Sequence, residues 1–497
     1  MADPVIVPRA EHAISRRDID PDALKVLYRL RDFNYTAYLV GGGVRDLLLG
    51  RAPKDFDVGT DAHPYQIKKL FRNCWIIGRR FRLAHVRFGA KTIEVATFRR
   101  HVPAAEAADT AADEAGFDRE PVVPPADLRD AHPAGRDRDH GEDASHRQHH
   151  HPDNTFGTPE EDAFRRDFTI NALFYDIANF SLIDYVGGLE DLRRRVIRSI
   201  GDPLQRFEED PVRMLRAIVF AARLDFTLDA PIVEAIRARR DLMATAAPAR
   251  LIEEYYKILR SGSAERTFRM LAEHGLLEPV TPELQRRATH EPLWDSLRAL
   301  DSYRRRYVDM PPQLTNPVLL GSLLLPIGMM PRFHHADEAA DQTAMEAAHD
   351  EVVEGQGKDG EARRRPRGRV WSTDRRDRRP KPPVLKIGVL PIARRDSERL
   401  RQLLAVQHRL RDLESSPRAK RALLHRGPFE DALTWLDVHG QAPEIVEHWR
   451  GFIEALGGVV THAEESAEAG GAPEQGVRRR RRRRGGRRRG FRRPREG

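Results

Sequence analysis

A glycine-rich turn followed closely by a pair of carboxylates is the feature that most constrains the fold of this chain. The turn lies within Tyr38-Leu-Val-Gly-Gly-Gly-Val-Arg-Asp46, and the pair lies within Lys54-Asp-Phe-Asp57. The first segment predicts a strand over residues 35–40 and, after the glycines, a short helix over 44–49. The second segment predicts another strand. Together they indicate an α/β domain.

The carboxylate pair has the chemistry of a magnesium site. Residues two apart on a strand point to the same face, so Asp55 and Asp57 present two carboxylates side by side. Mg²⁺ prefers oxygen ligands, and two ions about 4 Å apart can stabilise the attacking hydroxyl and the leaving group of an in-line displacement. An Asp-x-Asp alone is common in exposed strands. The preceding glycine turn is what favours a catalytic reading.

The glycine turn is the candidate phosphate site. Amides at a helix N-terminus favour phosphate oxygens, and Arg45 in the first turn adds a forked donor. The structural alternative is a tight strand-to-helix turn that needs a positive φ. With a carboxylate pair on the next strand, we predict that Gly42 and Arg45 contact a triphosphate.

Two later motifs complete a known pattern: Arg165-Arg-Asp-Phe-Thr-Ile-Asn-Ala172 and Glu209-Asp-Pro-Val-Arg-Met-Leu-Arg216. With the first two, they resemble polymerase-beta-type nucleotidyltransferases, in the family that holds bacterial poly(A) polymerases and class II tRNA CCA-adding enzymes. The resemblance spans roughly residues 8–335 and 384–460. Pro8-Arg-Ala-Glu-His12, Ile76-Ile-Gly-Arg-Arg-Phe-Arg-Leu-Ala-His85-Val and Pro248-Ala-Arg-Leu-Ile-Glu-Glu254 are similar to the poly(A) polymerase branch.

The resemblance implies roles for the acidic residues. The metal-binding pair of the family maps onto Asp55 and Asp57, and a further active-site acid maps onto Asp167. Glu94 lies in an alternating strand pattern and is a second candidate for the third acid, although a solvated strand residue is the simpler reading. The closer match of its neighbours favours Asp167.

The resemblance also implies a nucleotide site. Gly42 and Arg45 match nucleotide-binding positions of the family. By their charge, Arg165 and Arg166 are candidates to neutralise the triphosphate or to orient the ribose, and surface arginines before a helix are the alternative. Asp210 and Arg213 match the pair that reads the incoming base. Arg216 follows Arg213 by three residues, on the same predicted helix face.

The hydrogen-bonding groups of Asp210 and Arg213 predict which bases they accept. A carboxylate only accepts and a guanidinium only donates. Adenine and cytosine both offer an amino donor beside a ring-nitrogen acceptor, whereas guanine and uracil present the reverse order. Each unpaired buried group would cost about 1–3 kcal/mol. The pair therefore admits A and C and does not choose between them.

The order of patterns predicts an α/β catalytic head with a short mixed sheet, followed by an all-α neck and body. Helical periodicities lie at 211–224, 232–243, 250–259, 264–273, 394–413 and 417–426. In chain order we expect an N-terminal extension (1–19), the head (20–100 and 154–195) with a disordered insertion (101–153), a helical neck (196–263), an RNA-binding body (264–335 and 383–462) with a disordered insertion (336–382), and a disordered tail (463–497).

Composition agrees with an intracellular enzyme. The single cysteine, Cys74, excludes an intrachain disulfide. The start of the chain lacks a signal-peptide pattern, and the apolar run at 318–330 is too short to span a bilayer. We therefore expect no membrane span and a cytoplasmic location.

The tail accounts for the basic character of the chain. From Arg478 onward it holds thirteen arginines and one acid, whereas the whole chain carries a net charge of +9. Arginine charge is permanent, and its contacts with phosphates release counterions. A solubilising low-complexity end is the alternative. We predict RNA contacts of low sequence specificity by the tail arginines, represented by Arg478, Arg481, Arg484, Arg487 and Arg489.

Taken together, the sequence predicts an enzyme that adds AMP from ATP to RNA 3′ ends with two Mg²⁺ ions and releases pyrophosphate. The alternative is a tRNA CCA-adding, CC-adding or A-adding enzyme. A non-catalytic RNA-binding protein is a third reading, disfavoured by the intact acidic motifs. RNA 3′ ends and ATP are the predicted partners, and no RNA-decay protein is identified by the sequence.

Overall fold

The computed structural model of the chain describes residues 3–78, 82–100, 156–330 and 386–456. Two of the predicted disordered segments, 336–382 and 463–497, and with them the five tail arginines, lie outside these residues. The predicted insertion at 101–153 also lies outside them.

The head is built on one eight-stranded mixed sheet in the order β1-β8-β7-β2-β3-β6-β5-β4. Strands β3 and β6 are parallel, and the other described neighbours in this sheet are antiparallel. The predicted α/β head with a mixed sheet is confirmed. The strands are β1 Val5–Val7, β2 Ala37–Val40, β3 Asp57–Thr60, β4 Cys74–Ile77, β5 Leu83–Phe88, β6 Lys91–Thr97, β7 Leu173–Asp176 and β8 Ser181–Asp184.

The first residues of the chain belong to this sheet. Strand β1 pairs with β8, with Val5 opposite Asp184 and Val7 opposite Leu182. The segment predicted as an N-terminal extension therefore supplies an edge strand of the head.

The described part of the head contains five α-helices: α1 Pro21–Asp32, α2 Gly42–Leu48, α3 Pro64–Leu70, α4 Pro159–Arg165 and α5 Gly188–Arg194. Helix α1 begins where the Asp20 side chain accepts hydrogen bonds from the Asp22 and Ala23 amides, as an N-cap residue should. Its apolar residues Ala23, Val26, Leu27 and Leu30 are fully buried.

The two faces of the sheet are covered differently. Inward residues such as Leu39, Val58 and Val95 join the main core beneath helices α1 and α3. On the opposite face, a smaller cluster that includes Val40 and Phe174 covers β2, β7 and β8. Beyond β3 this second face carries polar or exposed side chains. We call the part formed by β3, β6, β5 and β4 the open face.

The turn after β2 differs slightly from its prediction. Helix α2 begins at Gly42, two residues earlier than expected, and Gly41 is the positive-φ residue, with a φ of 72°. A Cβ at Gly41 would lie 2.9 Å from Nη1 of Arg166. Position 41 therefore requires glycine for its backbone and for its neighbour.

The rest of the described chain is mainly helical, as predicted, apart from a two-stranded parallel sheet of β9 Val196–Ile197 and β10 Thr227–Leu228. No described helix combines the length and the apolar character that a membrane span requires. The helices are α6 Pro203–Glu209, α7 Val212–Leu224, α8 Ala230–Arg239, α9 Pro248–Leu259, α10 Ala264–Glu273, α11 Pro282–Arg286, α12 Glu291–Arg304, α13 Asn316–Leu324, α14 Arg394–Arg411, α15 Pro417–Leu424, α16 Phe429–His439 and α17 Pro443–Ala455.

The predicted helices agree with these bounds to within a few residues. Helix α10 has the predicted bounds, whereas the pattern at 232–243 divides into α8 and a 3₁₀ segment, Arg240–Thr245. Helix α7 begins at Val212, one residue later than predicted, and the Asp210 carboxylate accepts from the Val212 amide at 3.2 Å.

Candidate active site

Two of the predicted acids are neighbours on the open face. Asp57 on β3 is the register partner of Glu94 on the parallel strand β6. On the next strand, Nε2 of His85 lies 3.7 Å from Oε1 of Glu94. Asp55 lies before β3, because the strand begins at Asp57, and it is exposed and 3.8 Å from Nζ of Lys54. The two-residue alternation of a strand therefore does not position Asp55.

The electrostatics of this group favour a bound cation. Burial, helped by the charges of Glu94 and Asp55, raises the pKa of Asp57 to about 6, although Arg166 opposes the shift. A raised carboxyl pKa means that the ionised form lacks compensation. A divalent cation would supply that compensation.

The donor set fits Mg²⁺ in one particular way. Within the described ranges, no group of three or more His, Cys, Asp or Glu side chains is gathered closely enough to hold a metal ion by itself. Mg²⁺ is commonly held by one or two carboxylates together with substrate phosphates. Asp55 and Asp57 match that requirement.

Arg166 lies beside the glycine turn, and its charge acts on Asp57. Its guanidinium donates to Asp162 at 2.9 and 3.1 Å and to the Asn171 carbonyl at 3.0 Å. It also lies over the ring of Phe174. These contacts fix a positive charge beside Gly41 and Asp57.

Arg45, the predicted triphosphate contact, is buried in the structure. It is 3% exposed, and it donates to Oδ1 of Asp46 at 2.8 Å and to Oδ1 of Asn171 at 2.5 Å. Asp46 in turn lies 3.2 Å from Nη2 of Arg223 on α7. In this structure Arg45 connects helix α2 to the Asn171 segment and the neck.

Asp167 is separate from the Asp57 and Glu94 pair in its bonding. Its Oδ2 accepts from Nε and Nη2 of Arg216 at 2.7 and 2.6 Å, and Oδ1 accepts from Asn171 at 3.3 Å. Burial alone would raise its pKa, but Arg216, Asn171 and the Phe168 amide outweigh burial and lower the pKa. Asp167 is thus an ionised carboxylate committed to an arginine.

The two predicted base-reading residues are each held by other partners. Both oxygens of Asp210 accept from Arg250 on α9, at 2.9 and 2.8 Å. Arg213 donates to Oε2 of Glu209 at 2.7 Å and to the Arg206 carbonyl at 3.0 Å. The Asp210 and Arg250 side chains are 24% and 49% exposed, so a ligand can reach them.

Several residues of this region were missed by sequence reasoning. Arg206 is buried, and its Nη2 donates to the carbonyls of Arg165 and Arg166, both at 2.6 Å. Asp162 precedes Arg166 by four residues, a helical spacing that the sequence displays. Arg250 lies inside the Pro248 to Glu254 segment, but nothing in the sequence connects it to Asp210.

Three family models match the chain: the poly(A) polymerase head domain over residues 37–198, the probable RNA- and SrmB-binding site of polymerase A over 225–287, and the polymerase A arginine-rich C-terminus over 386–489. The head model contains both carboxylates of the open face. Together the three matches cover more than half of the chain.

Curated relatives agree with these matches. The chain is 48% identical over 281 residues to poly(A) polymerase I of Salmonella typhi. The aligned region covers 56% of this chain and 54% of that protein. It is 32% identical over 265 residues to the CCA-adding enzyme of Lactobacillus helveticus, covering 53% and 56%. The chain thus spans about half the length of the curated relatives it matches.

A solved structure supports the fold. The CCA-adding enzyme of Bacillus stearothermophilus, in complex with CTP, superposes with a TM-score of 0.53 at 23% identity, covering 88% of this chain and 84% of that one. The likeness extends over head and helices. The three domain matches and the identity to poly(A) polymerase I show that the chain belongs to the bacterial poly(A) polymerases of the tRNA nucleotidyltransferase family.

Proposed function

We propose that this protein adds AMP from ATP to RNA 3′ ends without a template and releases pyrophosphate. The observation that carries the proposal is the pairing of Asp57 with Glu94 on the open face, inside a poly(A) polymerase head domain. The 48% identity to poly(A) polymerase I favours RNA 3′ adenylation over other nucleotidyl transfers.

Asp55 and Asp57 are the proposed Mg²⁺ ligands, and ATP is the proposed substrate. Bound there, two Mg²⁺ ions would neutralise charge on the nucleophile and on the departing pyrophosphate. Glu94 is our preferred third acid because it neighbours Asp57, whereas Asp167 is committed to Arg216. The residues of the chain position the reactants and balance charge, which is most of what phosphoryl transfer requires.

Positive charge near the acids is the proposed triphosphate site. Arg166 is held rigidly by Asp162 and Asn171 and influences the pKa of Asp57. Gly42 and Arg45 are the proposed nucleotide contacts, with Arg45 acting from a buried position. Asp167 binds Arg216 on α7, in the helical neck, and acts as a positioning residue.

Asp210 and Arg213 are the proposed base readers. Both have exposed or half-buried partners, Arg250 and Glu209, so a base can exchange for part of these contacts. A carboxylate has about four lone-pair sites, which lets Asp210 accept from an amino group while Arg250 remains bound. This arrangement favours A and C.

A tRNA CCA-adding, CC-adding or A-adding activity is the second candidate. The 32% identity to a CCA-adding enzyme favours it, and the hydrogen-bonding groups of Asp210 and Arg213 are predicted to admit cytosine as well as adenine. Its product is limited to the tRNA end. A cytoplasmic location is expected for either activity.

The test offers single nucleotides with Mg²⁺ to unstructured RNA and to tRNA that ends in CC. We expect long products from ATP on unstructured RNA, and few or none from CTP or UTP. One A added to tRNA ending in CC, with no extension of other RNA, would assign the tRNA activity instead. Absence of incorporation on both RNAs would support the non-catalytic RNA-binding reading.

A further inference from the structure

The open face carries two exposed apolar side chains at its outer strand. On β4, Trp75 is 52% exposed and Ile77 is 50% exposed, while the alternating residue Cys74 is buried on the other face. Large exposed apolar groups next to a candidate active site commonly mark a binding surface. Neither residue has a role in the site described above.

The sheet register places Trp75 in line with the candidate catalytic acids. Trp75 is opposite His85, His85 is opposite Glu94, and Glu94 is the partner of Asp57. Register partners share a face of the sheet. Strands lie about 4.8 Å apart, so three steps separate Trp75 from Asp57 by about 14 Å along the open face.

The surroundings of Trp75 suit a single-stranded nucleic acid. Arg87 follows His85 by two residues on β5 and therefore lies on the same face, where it is exposed. Its Nε donates to the Gly89 carbonyl at 2.8 Å, which orients its positive charge. An aromatic platform with a basic side chain on the same face is the combination that binds single strands by stacking and phosphate contact.

We infer that Trp75, with Ile77 beside it, is a stacking platform for a base of the RNA upstream of its reacting 3′ end. The inference rests on the proposed function. The strand of RNA crosses the open face from β4 towards Asp57, and one base stacks on the indole. Stacking is tolerant of sequence because every base has a π-face, which suits an enzyme that extends generic RNA ends.

The test compares Trp75→Ala and Trp75→Phe with Tyr65→Ala in the full chain. Tyr65 on α3 is a matched control, since it is 54% exposed but belongs to a helix that packs on the core face. Trp75→Ala should raise the KM for an unstructured RNA about 5-fold or more, with the KM for ATP unchanged. Trp75→Phe and Tyr65→Ala should behave like the wild type.

A second measurement locates the base. A series of RNAs carries one abasic ribose, moved stepwise upstream from the 3′ end. The affinity of the wild type for RNA should fall most when the abasic ribose is at one particular upstream position. For Trp75→Ala, an abasic ribose at that position should cause no further loss of affinity. An abasic penalty that persists in Trp75→Ala would overturn the inference.

The outcomes separate this inference from the proposed function. If the wild type incorporates AMP and Trp75→Ala has an unchanged KM for RNA, the platform is wrong and the function stands. If the wild type does not incorporate AMP, the function fails, and equilibrium binding of labelled RNA to the same variants still decides the platform. A change of oligomeric state in Trp75→Ala would also overturn it, because the exposed edge would then bind a second copy.

Discussion

Asp167 and Arg216 form an ion pair that joins the head to helix α7, with Nε and Nη2 of the arginine 2.7 and 2.6 Å from the same carboxylate oxygen. Asp167 comes from the Arg-Arg-Asp motif and Arg216 from the motif that begins at Glu209. Two motifs that are distant in sequence therefore meet in one contact. The pair is one of the contacts that join the head to α7, together with the Asp46 and Arg223 pair.

Asp167→Asn should weaken both stability and ATP binding. The change leaves Arg216 without its counter-charge, and we expect a loss of about 2 kcal/mol in the free energy of unfolding at pH 7, less than for a fully buried pair because Arg216 is partly exposed. The KM for ATP should rise, since α7 loses one of its contacts with the head.

Chemical denaturation at several pH values checks whether the lost stability comes from the ion pair between Asp167 and Arg216. The pKa of Asp167 is lowered from its ordinary value of 3.8, so the ionised carboxylate adds stability above that pH and loses it as the pH falls through the folded-state pKa. The difference between wild type and Asp167→Asn should therefore shrink in acid. A difference that is constant from neutral pH down to strong acid would contradict the ion-pair account.

Replacing the open-face acids should affect chemistry rather than RNA binding. Asp55→Asn and Asp57→Asn should each leave less than about 1% of wild-type activity, because each removes a proposed ligand of the catalytic metal. RNA binding should stay nearly intact, because these carboxylates hold metal and do not contact RNA. Glu94→Gln should lower kcat about 100-fold and leave the KM for RNA unchanged. A Glu94→Gln variant with near-normal kcat would return the role of third acid to Asp167.

The pKa of Asp57 predicts a stability effect with the opposite sign. Because the folded-state pKa is raised from 3.8 to about 6, the free energy of unfolding of the metal-free protein should fall as the pH rises through that interval. Asp57→Asn should remove this fall and melt at a higher temperature than the wild type at pH 7.5. A lower melting temperature for the variant would mean that Asp57 is already compensated without metal.

The same acid predicts how Mg²⁺ dependence changes with pH. Below about pH 6 a proton competes with the cation for Asp57. Half-saturation by Mg²⁺ should therefore require more metal at pH 5 than at pH 7.5.

The sequence predicted the helices and strands better than it predicted which side chains contact one another, and the reason is physical. Helix α10 could be bounded from its periodicity because that signal is local. The nearness of Glu94 to Asp57 was visible only as an alternating pattern, since strand order is set by the whole sheet. Arg45 was predicted to contact a triphosphate, and its burial against Asn171, which is far away in sequence, was not visible in the sequence.

The proposed base-reading residues illustrate the same limit. Their spacing of three put Asp210 and Arg213 on one helix face, which suggested a ready pair. In the folded chain Arg250 takes both oxygens of Asp210, and Glu209 takes Arg213. Choosing among several arginines that compete for one carboxylate requires coordinates, because charge alone does not distinguish them.

Truncation of the chain before Val477, which removes the arginine-rich tail, should reduce RNA binding and leave the chemistry intact. The arginines from Arg478 onward should contribute phosphate contacts, so the loss should be greatest at low salt. The salt slope should flatten by about 0.7 for each lost contact with a single strand. Affinity measured over a range of salt concentrations checks this, and an unchanged slope would exclude the tail as an RNA-binding element.

Arg250→Gln should weaken nucleotide selection with little effect on stability. Arg250 holds both oxygens of Asp210, so its loss lets the carboxylate rotate away from the amino group that it must accept from. The pair is partly exposed, and its contribution to folding should be below about 1 kcal/mol. The preference for ATP over UTP, measured as the ratio of kcat/KM values on one RNA, should fall about tenfold, the equivalent of roughly 1.4 kcal/mol of discrimination.

Arg239→Gln is the matched control, because Arg239 forms a comparably exposed pair with Glu208, which is not a proposed base-reading residue. Equal selectivity in the two variants would show that Asp210 orients itself without Arg250.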